Sequence, residues 1–341
     1  MRFPAHITTD MLKWQAKNWW RGNERYPLVL MLEPLHTCNL ACLGCSPERY
    51  NGDLKDRLSL DACFQAADDS GAPVVSVCGG EPTIYPEIVE LIDGLVARKR
   101  HVYLCTNGIL LDRFFKKAQP HNRLSVNVHL DGMATTHDFI VDRPGVWEKA
   151  VEMIKLGKSL GYRVCTNTTI FRETDMGEIE EMLAYLSSLG IDGMLLSPGY
   201  HYEVLPEKHF LFRNEVNAKF KLVVELAKKY KLYSTPLFLE FAAGMREYPC
   251  TPWGNVTRTP QGWKGPCYLV GEKFFPTFEE FWSGVDWEYW ESRQDHRCRD
   301  CLMHSGFEAS VVRKLGDSFS DVLTMARWQM ENVTRSGRDA A

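Results

Sequence analysis

Three cysteines stand close together near the start of the chain. Cys38, Cys42 and Cys45 have the spacing C-x3-C-x2-C and directly follow a short β-rich run. Three thiolates on one loop can ligate three irons of a cubane 4Fe–4S cluster and leave the fourth iron open. A structural zinc site or free thiols are the alternatives, but zinc sites normally recruit four ligands, often as two separated pairs. The spacing therefore favours a 4Fe–4S cluster with one open coordination position.

A second set of cysteines lies far along the chain. It comprises Cys250, Cys267, Cys298 and Cys301, of which the last two form a C-x2-C pair. Four thiolates could bind an auxiliary iron–sulfur cluster or a structural zinc ion, and either would hold a segment with little periodicity in shape. Four unrelated reduced cysteines are the alternative. The flanking His296 and His304 are not expected to be ligands.

Composition limits where the protein works and what it binds. The chain has 341 residues, 45% of them apolar, and a formal net charge of −4. This length allows one large domain with an appendage, and the charge does not indicate a nucleic acid partner. The eleven cysteines are an odd number and a poor disulfide framework, which is typical of a reducing compartment. With no secretory signal or long apolar stretch, we predict a cytoplasmic protein.

Short β-rich runs alternate with helical patterns from residue 26 to about residue 235. The predicted strands are Leu28–Glu33, Val74–Cys78, His101–Cys105, Leu124–Leu130, Arg163–Ile170 and Gly193–Ser197. The helical stretches between them include Ser59–Ser70, Pro86–Lys99, Val146–Leu160 and Glu178–Leu189. This alternation implies parallel strands joined by right-handed crossovers. Six such units predict an α/β fold, a partial (β/α)6 barrel whose ligand lies at the carboxyl ends of the strands.

The chain divides into three predicted segments. Residues 1–25 form an N-terminal helical extension, residues 26–235 the barrel, and residues 236–341 an irregular cysteine-containing module with a closing helix. The extension contains Trp19 and Trp20, which could pack on the barrel or lie against a membrane.

A glycine-rich segment follows the second predicted strand and reads Gly79-Gly80-Glu81-Pro82. With the cysteine triplet one strand earlier, it makes residues 28–200 resemble the radical S-adenosylmethionine (SAM) superfamily. The resemblance implies a 4Fe–4S cluster on the triplet, SAM as cofactor and a reducing donor of the flavodoxin or ferredoxin type. It also implies that this segment meets the amino group of SAM, since glycines permit close backbone approach and a carboxylate accepts from an ammonium.

The same resemblance implies cofactor contacts near the ends of the later strands. Polar side chains there could reach the ribose, the carboxylate or the adenine of SAM. They are Asn107, Asn127, His129, Asp131, Asn167 and Ser197. Ordinary polarity at strand ends is the alternative for each of them.

Within the superfamily, the chain resembles the adenosylhopane-forming enzymes of hopanoid biosynthesis. The resemblance lies in segments such as Arg25–Leu30, Leu104–Asn107 and Cys250–Asn255. It implies a transferase that adds the adenosyl radical to the alkene of a hydrophobic triterpene, with peripheral contact at the inner membrane face. Such an addition leaves a product radical, and Cys105 could quench it as hydrogen donor; a small buried hydrophobic residue is the alternative.

Two other functions stay open at this point. One is a radical SAM enzyme that abstracts hydrogen from a peptide or another small substrate. The other is a non-catalytic iron–sulfur or zinc protein, which would have no need of a pocket for a cofactor amine.

Overall fold

The computed structural model describes residues 4–45, 52–200 and 209–335. The strands are β1 (Val29–Leu32), β2 (Val74–Val77), β3 (His101–Thr106), β4 (Leu124–His129), β5 (Arg163–Ile170), β6 (Gly193–Pro198), β7 (Asn255–Thr259), β8 (Gly262–Pro266) and β9 (Gly271–Phe275). The helices are α1 (Ala5–Trp20), α2 (Leu60–Ser70), α3 (Ile88–Ala97), α4 (Leu111–Phe115), α5 (Ala134–Ile140), α6 (Val146–Ser159), α7 (Met176–Ser188), α8 (Arg213–Lys229), α9 (Pro236–Ala242), α10 (Phe278–Gly284), α11 (Trp287–Glu291), α12 (His304–Lys314) and α13 (Phe319–Arg335). In the described ranges, no helix is long and apolar enough to cross a bilayer.

One sheet runs through the molecule in the order β6-β5-β4-β3-β2-β1-β7-β8-β9. Strands β1 to β6 are parallel neighbours in sequence order, and helices such as α2, α3, α6 and α7 connect them. The six predicted strands are all present, and each boundary agrees to within one residue. The predicted α/β partial barrel is confirmed.

Local sequence explains where the crossover helices start and stop. The Ser59 hydroxyl accepts from the backbone of Ala62 at 3.2 Å and so caps α2, which ends at Gly71 with φ 62°. This left-handed conformation favours glycine. At α7, the Asp175 carboxylate accepts from the backbone of Gly177 in the same capping role.

The two faces of the barrel strands differ in polarity. The outer face, under the helices, carries fully buried apolar residues: Leu30, Leu32, Val75, Val77, Leu104 and Val126. Side chains alternate along a strand, so the intervening residues face the inside of the barrel, here called the lumen. By register they form two layers: Ser76, Tyr103, Ser125 and Arg163, and then Cys105, Asn127 and Cys165. The lumen is therefore largely polar.

The C-terminal segment is more regular than its sequence indicates. Strand β7 pairs with β1 in parallel, and β8 and β9 continue the sheet in antiparallel fashion. The sheet thus crosses the boundary predicted at residue 235. The sequence did not predict these strands for two reasons. They are short and contain Gly262, Gly265 and Pro266, which obscure the alternation of a strand, and β7 pairs with a strand far away in sequence. The division into three segments stays a prediction.

Helix α1 lies across the amino-terminal ends of the barrel strands. Trp14 Nε1 donates to the carbonyl of Pro27, just before β1, at 2.9 Å. Asp10 pairs with His101 at the start of β3 at 3.0 Å, and with Arg123 just before β4 at 2.9 Å. The helix therefore covers the end of the barrel opposite to the predicted site.

A buried carboxylate joins α12 to α9. Glu308 accepts hydrogen bonds from the backbone N–H of Thr235 at 2.9 Å and from its hydroxyl at 2.8 Å. Burial raises the pKa of Glu308 to about 7, because the two hydrogen bonds offset only part of the desolvation of the charged form.

We predict that Glu308→Gln gains stability relative to the parent protein as the pH rises. The folded parent holds a proton on Glu308 between the ordinary pKa of 4.5 and about 7, so its free energy of unfolding falls through this window. Glutamine carries no charge and avoids this loss. The free energy of unfolding of the variant, relative to that of the parent, should rise by up to about 3 kcal/mol between acidic and mildly basic pH.

Urea denaturation at both pH values measures this difference. Glu279→Gln, which removes an exposed carboxylate from the first turn of α10, is the matched control. An effect of Glu308→Gln that is the same at both pH values would contradict the prediction.

Candidate active site

The cysteine triplet lies on the loop that follows β1 at the carboxyl end of the barrel. The backbone N–H of Cys45 donates to the carbonyl of Cys42 at 3.0 Å, which closes a turn. The N–H of Leu43 donates to the carbonyl of Ile140, the last residue of α5, at 2.9 Å. The loop is therefore held to the β4–α5 side of the barrel.

The thiols of the triplet influence one another. Burial raises the pKa of Cys38 to about 11 and that of Cys42 still further, and the neighbouring thiolates add to both increases. A bound cation would reverse this preference, because metal ligation needs the thiolate. In the ranges described, no three His, Cys, Asp or Glu side chains are arranged to hold a metal ion directly. The donor set of Cys38, Cys42 and Cys45 suits an iron–sulfur cluster, and their ligand role stays a prediction.

The segment after β2 packs against the backbone that leads into the cysteine loop. The N–H of Gly80 donates to the carbonyl of Leu35 at 3.0 Å, and the N–H of Glu81 donates to that of Thr37 at 2.9 Å. Gly79 has φ 106°, and a Cβ on Gly80 would lie 2.1 Å from the Thr37 oxygen. Both glycines are therefore needed because this segment lies very close to the backbone that leads into the cysteine loop.

Glu81 is almost completely buried, and both of its carboxylate oxygens already accept hydrogen bonds. One accepts from the backbone of Thr83 at 3.0 Å and from the Thr106 hydroxyl at 2.7 Å. The other accepts from the backbone of Asn107 at 2.8 Å. Burial raises the pKa of Glu81, and these hydrogen bonds oppose the rise. Glu81 thus joins the loops after β2 and β3, while Pro82 begins a short 3-10 turn; their contact with the SAM amine stays a prediction.

Asn107 connects the loop after β3 to the cysteine loop. Its Nδ2 donates to Asn39 Oδ1 at 2.7 Å, and its Oδ1 accepts from the backbone of Ile109 at 3.0 Å. Asn39 adjoins Cys38, so Asn107 positions the loop through protein partners. The sequence interpretation missed Asn39, whose only signal was its place within the triplet.

A histidine and a carboxylate are paired at the end of β4. His129 Nε2 lies 2.6 Å from Asp131, whose other oxygen accepts from the backbone of Thr169 at 2.6 Å. Burial of the imidazole opposes its protonation, but Asp131 outweighs burial and raises the pKa of His129. A protonated His129 can donate to an anionic group at the carboxyl end of the barrel.

Three predicted residues line the lumen below the strand ends. Cys105 Sγ is 3.3 Å from the Ser76 hydroxyl and accepts from Asn127 Nδ2 at 3.8 Å. Burial raises the pKa of Cys105, so the group remains a thiol. Asn127 Oδ1 and Asn167 Oδ1 are buried without a hydrogen-bond partner within the described residues. Two acceptors are thus left for a ligand that brings its own donors.

Ser197, at the end of β6, faces the C-terminal segment. Its hydroxyl lies 2.9 Å from His304 Nδ1 at the start of α12. Burial lowers the pKa of His304 to about 4, so the imidazole is neutral. This pair ties the barrel to the segment with the second cysteine set, and contact of Ser197 with SAM stays a prediction.

The four cysteines of the second set line one cavity. The structure brings together Cys250, Cys267, Cys298 and Cys301. Tyr200, three residues beyond Ser197, contributes to the wall of the same cavity, as do Arg293 and Phe307. Burial raises the pKa of Cys298 to about 11 and that of Cys301 to about 12, with further contributions from neighbouring thiolates. Their role as metal ligands stays a prediction.

Family models match the chain in two parts. Residues 32–186 match the radical SAM superfamily, and residues 194–325 match a domain of unknown function, DUF3463. The chain is 28% identical to PqqA peptide cyclase of Gluconobacter oxydans over 311 residues, 81% of this chain and 82% of that protein. It is 25% identical to GTP 3′,8-cyclase of Clostridium perfringens over 251 residues, 67% of this chain and 77% of that protein.

Solved structures share the fold at low sequence identity. Streptococcus suis SuiB bound to S-adenosylmethionine has a TM-score of 0.63 at 15% identity, over 87% of this chain and 77% of that chain. Native anSMEcpe with bound AdoMet has a TM-score of 0.57 at 15% identity, over 92% and 100%. The relatives named here do not support the resemblance to adenosylhopane-forming enzymes. Residues 32–186 of the chain thus match the radical SAM superfamily, whose characteristic cofactors are a 4Fe–4S cluster and S-adenosylmethionine.

Proposed function

We propose that this protein is a radical SAM enzyme that abstracts a hydrogen atom from a peptide. The cluster, when bound and reduced by a flavodoxin- or ferredoxin-type donor, supplies the electron that splits SAM into methionine and the 5′-deoxyadenosyl radical. Cys38, Cys42 and Cys45 would hold the cluster. The hydrogen bonds of Glu81 and Asn107 would hold the loops around this site in position.

The polarity of the lumen carries the choice of substrate. Asn127 and Asn167 each leave a buried amide oxygen without a partner in the described structure. A peptide can donate its N–H groups to whichever of these acceptors SAM does not occupy, whereas a triterpene cannot, and each buried polar group left unsatisfied costs about 1–3 kcal/mol. The similarity to PqqA peptide cyclase, over 81% of this chain and 82% of that protein, supports the same choice.

His129 suits the carboxylate of SAM. Its pairing with Asp131 favours the imidazolium, and it lies at the carboxyl end of β4. A charge-assisted hydrogen bond from this group would fix the methionine part of the cofactor while the substrate occupies the lumen.

One observation supports a second candidate function, the addition of the adenosyl radical to an alkene. The Cys105 thiol lies in the lumen, and burial raises its pKa so that it keeps its hydrogen. After addition it could donate that hydrogen to the product radical, and the resulting thiyl would need an electron and a proton from the reductant. The exposed residues of α1 give this candidate no support. The helix covers the opposite end of the barrel and therefore cannot deliver a lipid to the site.

We also propose that the cavity of the second cysteine set holds an auxiliary iron–sulfur cluster or a zinc ion. Its support is that four cysteines from separate parts of the chain line one cavity beside the end of β6.

We predict that Cys42→Ala abolishes reductive cleavage of SAM, because two thiols cannot hold the cluster. The measurement is iron and sulfide per chain after anaerobic reconstitution, together with release of 5′-deoxyadenosine under reducing conditions. Cys63→Ala, at a buried cysteine of α2, is the matched control and should retain both. Full cleavage by the Cys42 variant would contradict the assignment.

The fate of the adenosyl radical distinguishes the two candidate functions. With a pool of deuterated peptides, we expect deuterium in the released 5′-deoxyadenosine, because the radical takes its hydrogen from the substrate. Mass spectrometry of that nucleoside makes the measurement. An adenosylated product formed with a polycyclic alkene, and lost with Cys105→Ala, would instead favour addition.

We predict that the double variant Cys298→Ala/Cys301→Ala, which leaves two thiols in the second cavity, lowers the metal content of that cavity while the first cluster stays. Elemental analysis of iron and zinc, compared with the Cys42→Ala variant, separates the two sites. Unchanged metal content in Cys298→Ala/Cys301→Ala would show that the second set consists of free thiols.

A further inference from the structure

Two adjacent tryptophans at the end of α1 are almost fully exposed. Trp19 is 82% exposed and Trp20 is 85% exposed, and Leu12 on the same helix is 55% exposed. Trp14, by contrast, packs on the barrel and donates to the Pro27 carbonyl. Large indole surfaces are normally buried or placed where one end is apolar and the other wet, so this exposure indicates a partner.

The exposed apolar residues share one stripe of the helix. At about 100° per residue, Leu12, Ala16, Trp19 and Trp20 fall within one sector of about 100°. The face that packs on the barrel is the opposite one, with Ile7, Asp10, Trp14 and Asn18. The stripe therefore points away from the protein.

Cations line one flank of this stripe. Lys13 and Lys17 on the helix and Arg21, the residue directly after it, are exposed, and Lys17 Nζ lies 5.2 Å from the centre of the Trp14 ring. The acidic residue nearest to them around the helix, Asp10, is paired with His101 and Arg123. The exposed surface of α1 is thus apolar with a positive border.

A second helix adds apolar surface beside α1. Gln329 Nε2 of α13 donates to the Thr8 hydroxyl at 3.4 Å, and the next residue, Met330, is 61% exposed. Thr8 lies one turn before Leu12 on the helix. An exposed apolar residue of α13 thus directly follows the residue that contacts α1.

We propose that α1 is an interfacial helix that binds the surface of an anionic phospholipid bilayer. Trp19 and Trp20 would lie at the level of the headgroups, and the three cations would pair with lipid phosphates. The positive border favours this partner over a second copy of the chain, whose own cations would face it. Because α1 covers the amino-terminal end of the barrel, the site with the cysteine triplet faces away from the bilayer.

Sedimentation of the full chain with lipid vesicles tests the proposal. We expect binding to vesicles of phosphatidylcholine with phosphatidylglycerol, little binding to phosphatidylcholine alone, and weaker binding as NaCl rises. The double variant Trp19→Ala/Trp20→Ala should bind at least about tenfold more weakly, because two indoles lose their apolar burial. Lys13→Glu/Arg21→Glu should lose the preference for the anionic lipid.

Phe139→Ala is the matched control. Phe139 is 71% exposed and lies on α5 at the carboxyl end of the barrel, so its loss should leave binding unchanged. Equal binding by the parent and the double tryptophan variant would overturn the proposal. So would equal binding to both kinds of vesicle, or a dimer in solution that the double tryptophan variant abolishes. None of these results depends on the catalytic function.

Discussion

The contact between the loop after β2 and the backbone before the cysteines is the constraint on which the site depends. At Gly80 there is no room for a Cβ, because the Thr37 carbonyl occupies that space. Glu81 accepts hydrogen bonds that join this loop to the one after β3. Asn107 of that second loop donates to Asn39, which lies between the first two cysteines in sequence. Three loops from three strands thus become one rigid support for the triplet. A larger residue at Gly80 would separate them, whatever the ligands at Cys38, Cys42 and Cys45.

Burial decides which groups at this site carry charge. The thiols and Glu81 are disfavoured as anions, since removal from water raises their pKa values. His129 is the exception, because Asp131 lies near enough to offset the desolvation of the imidazolium. The site therefore combines thiols that keep their protons with an imidazole whose protonated form Asp131 favours, which suits a metal cluster that displaces protons and a cofactor that carries a carboxylate.

The two ends of the barrel carry different groups. The carboxyl end of the barrel gathers the triplet and the polar strand ends, and Ser197 with His304 joins this end to the cavity of the second cysteine set. The amino-terminal end is closed by α1, whose outer stripe is apolar. Between the two ends lies the lumen, in which two amide oxygens have no partner among the residues that the structure describes.

Much of this could be predicted from local sequence, because strand periodicity and cysteine spacing are properties of neighbouring residues. They predicted the six barrel strands to within one residue and the superfamily that residues 32–186 match. The partners of Glu81 and Asn107, the pairing of β7 with β1 and the cavity shared by four distant cysteines depend on contacts between remote segments. No local pattern records such contacts. The sequence thus determined the elements and the chemistry of the triplet, and the tertiary structure decided which polar groups are satisfied and which face the lumen, because hydrogen-bond partners are chosen only when the loops meet.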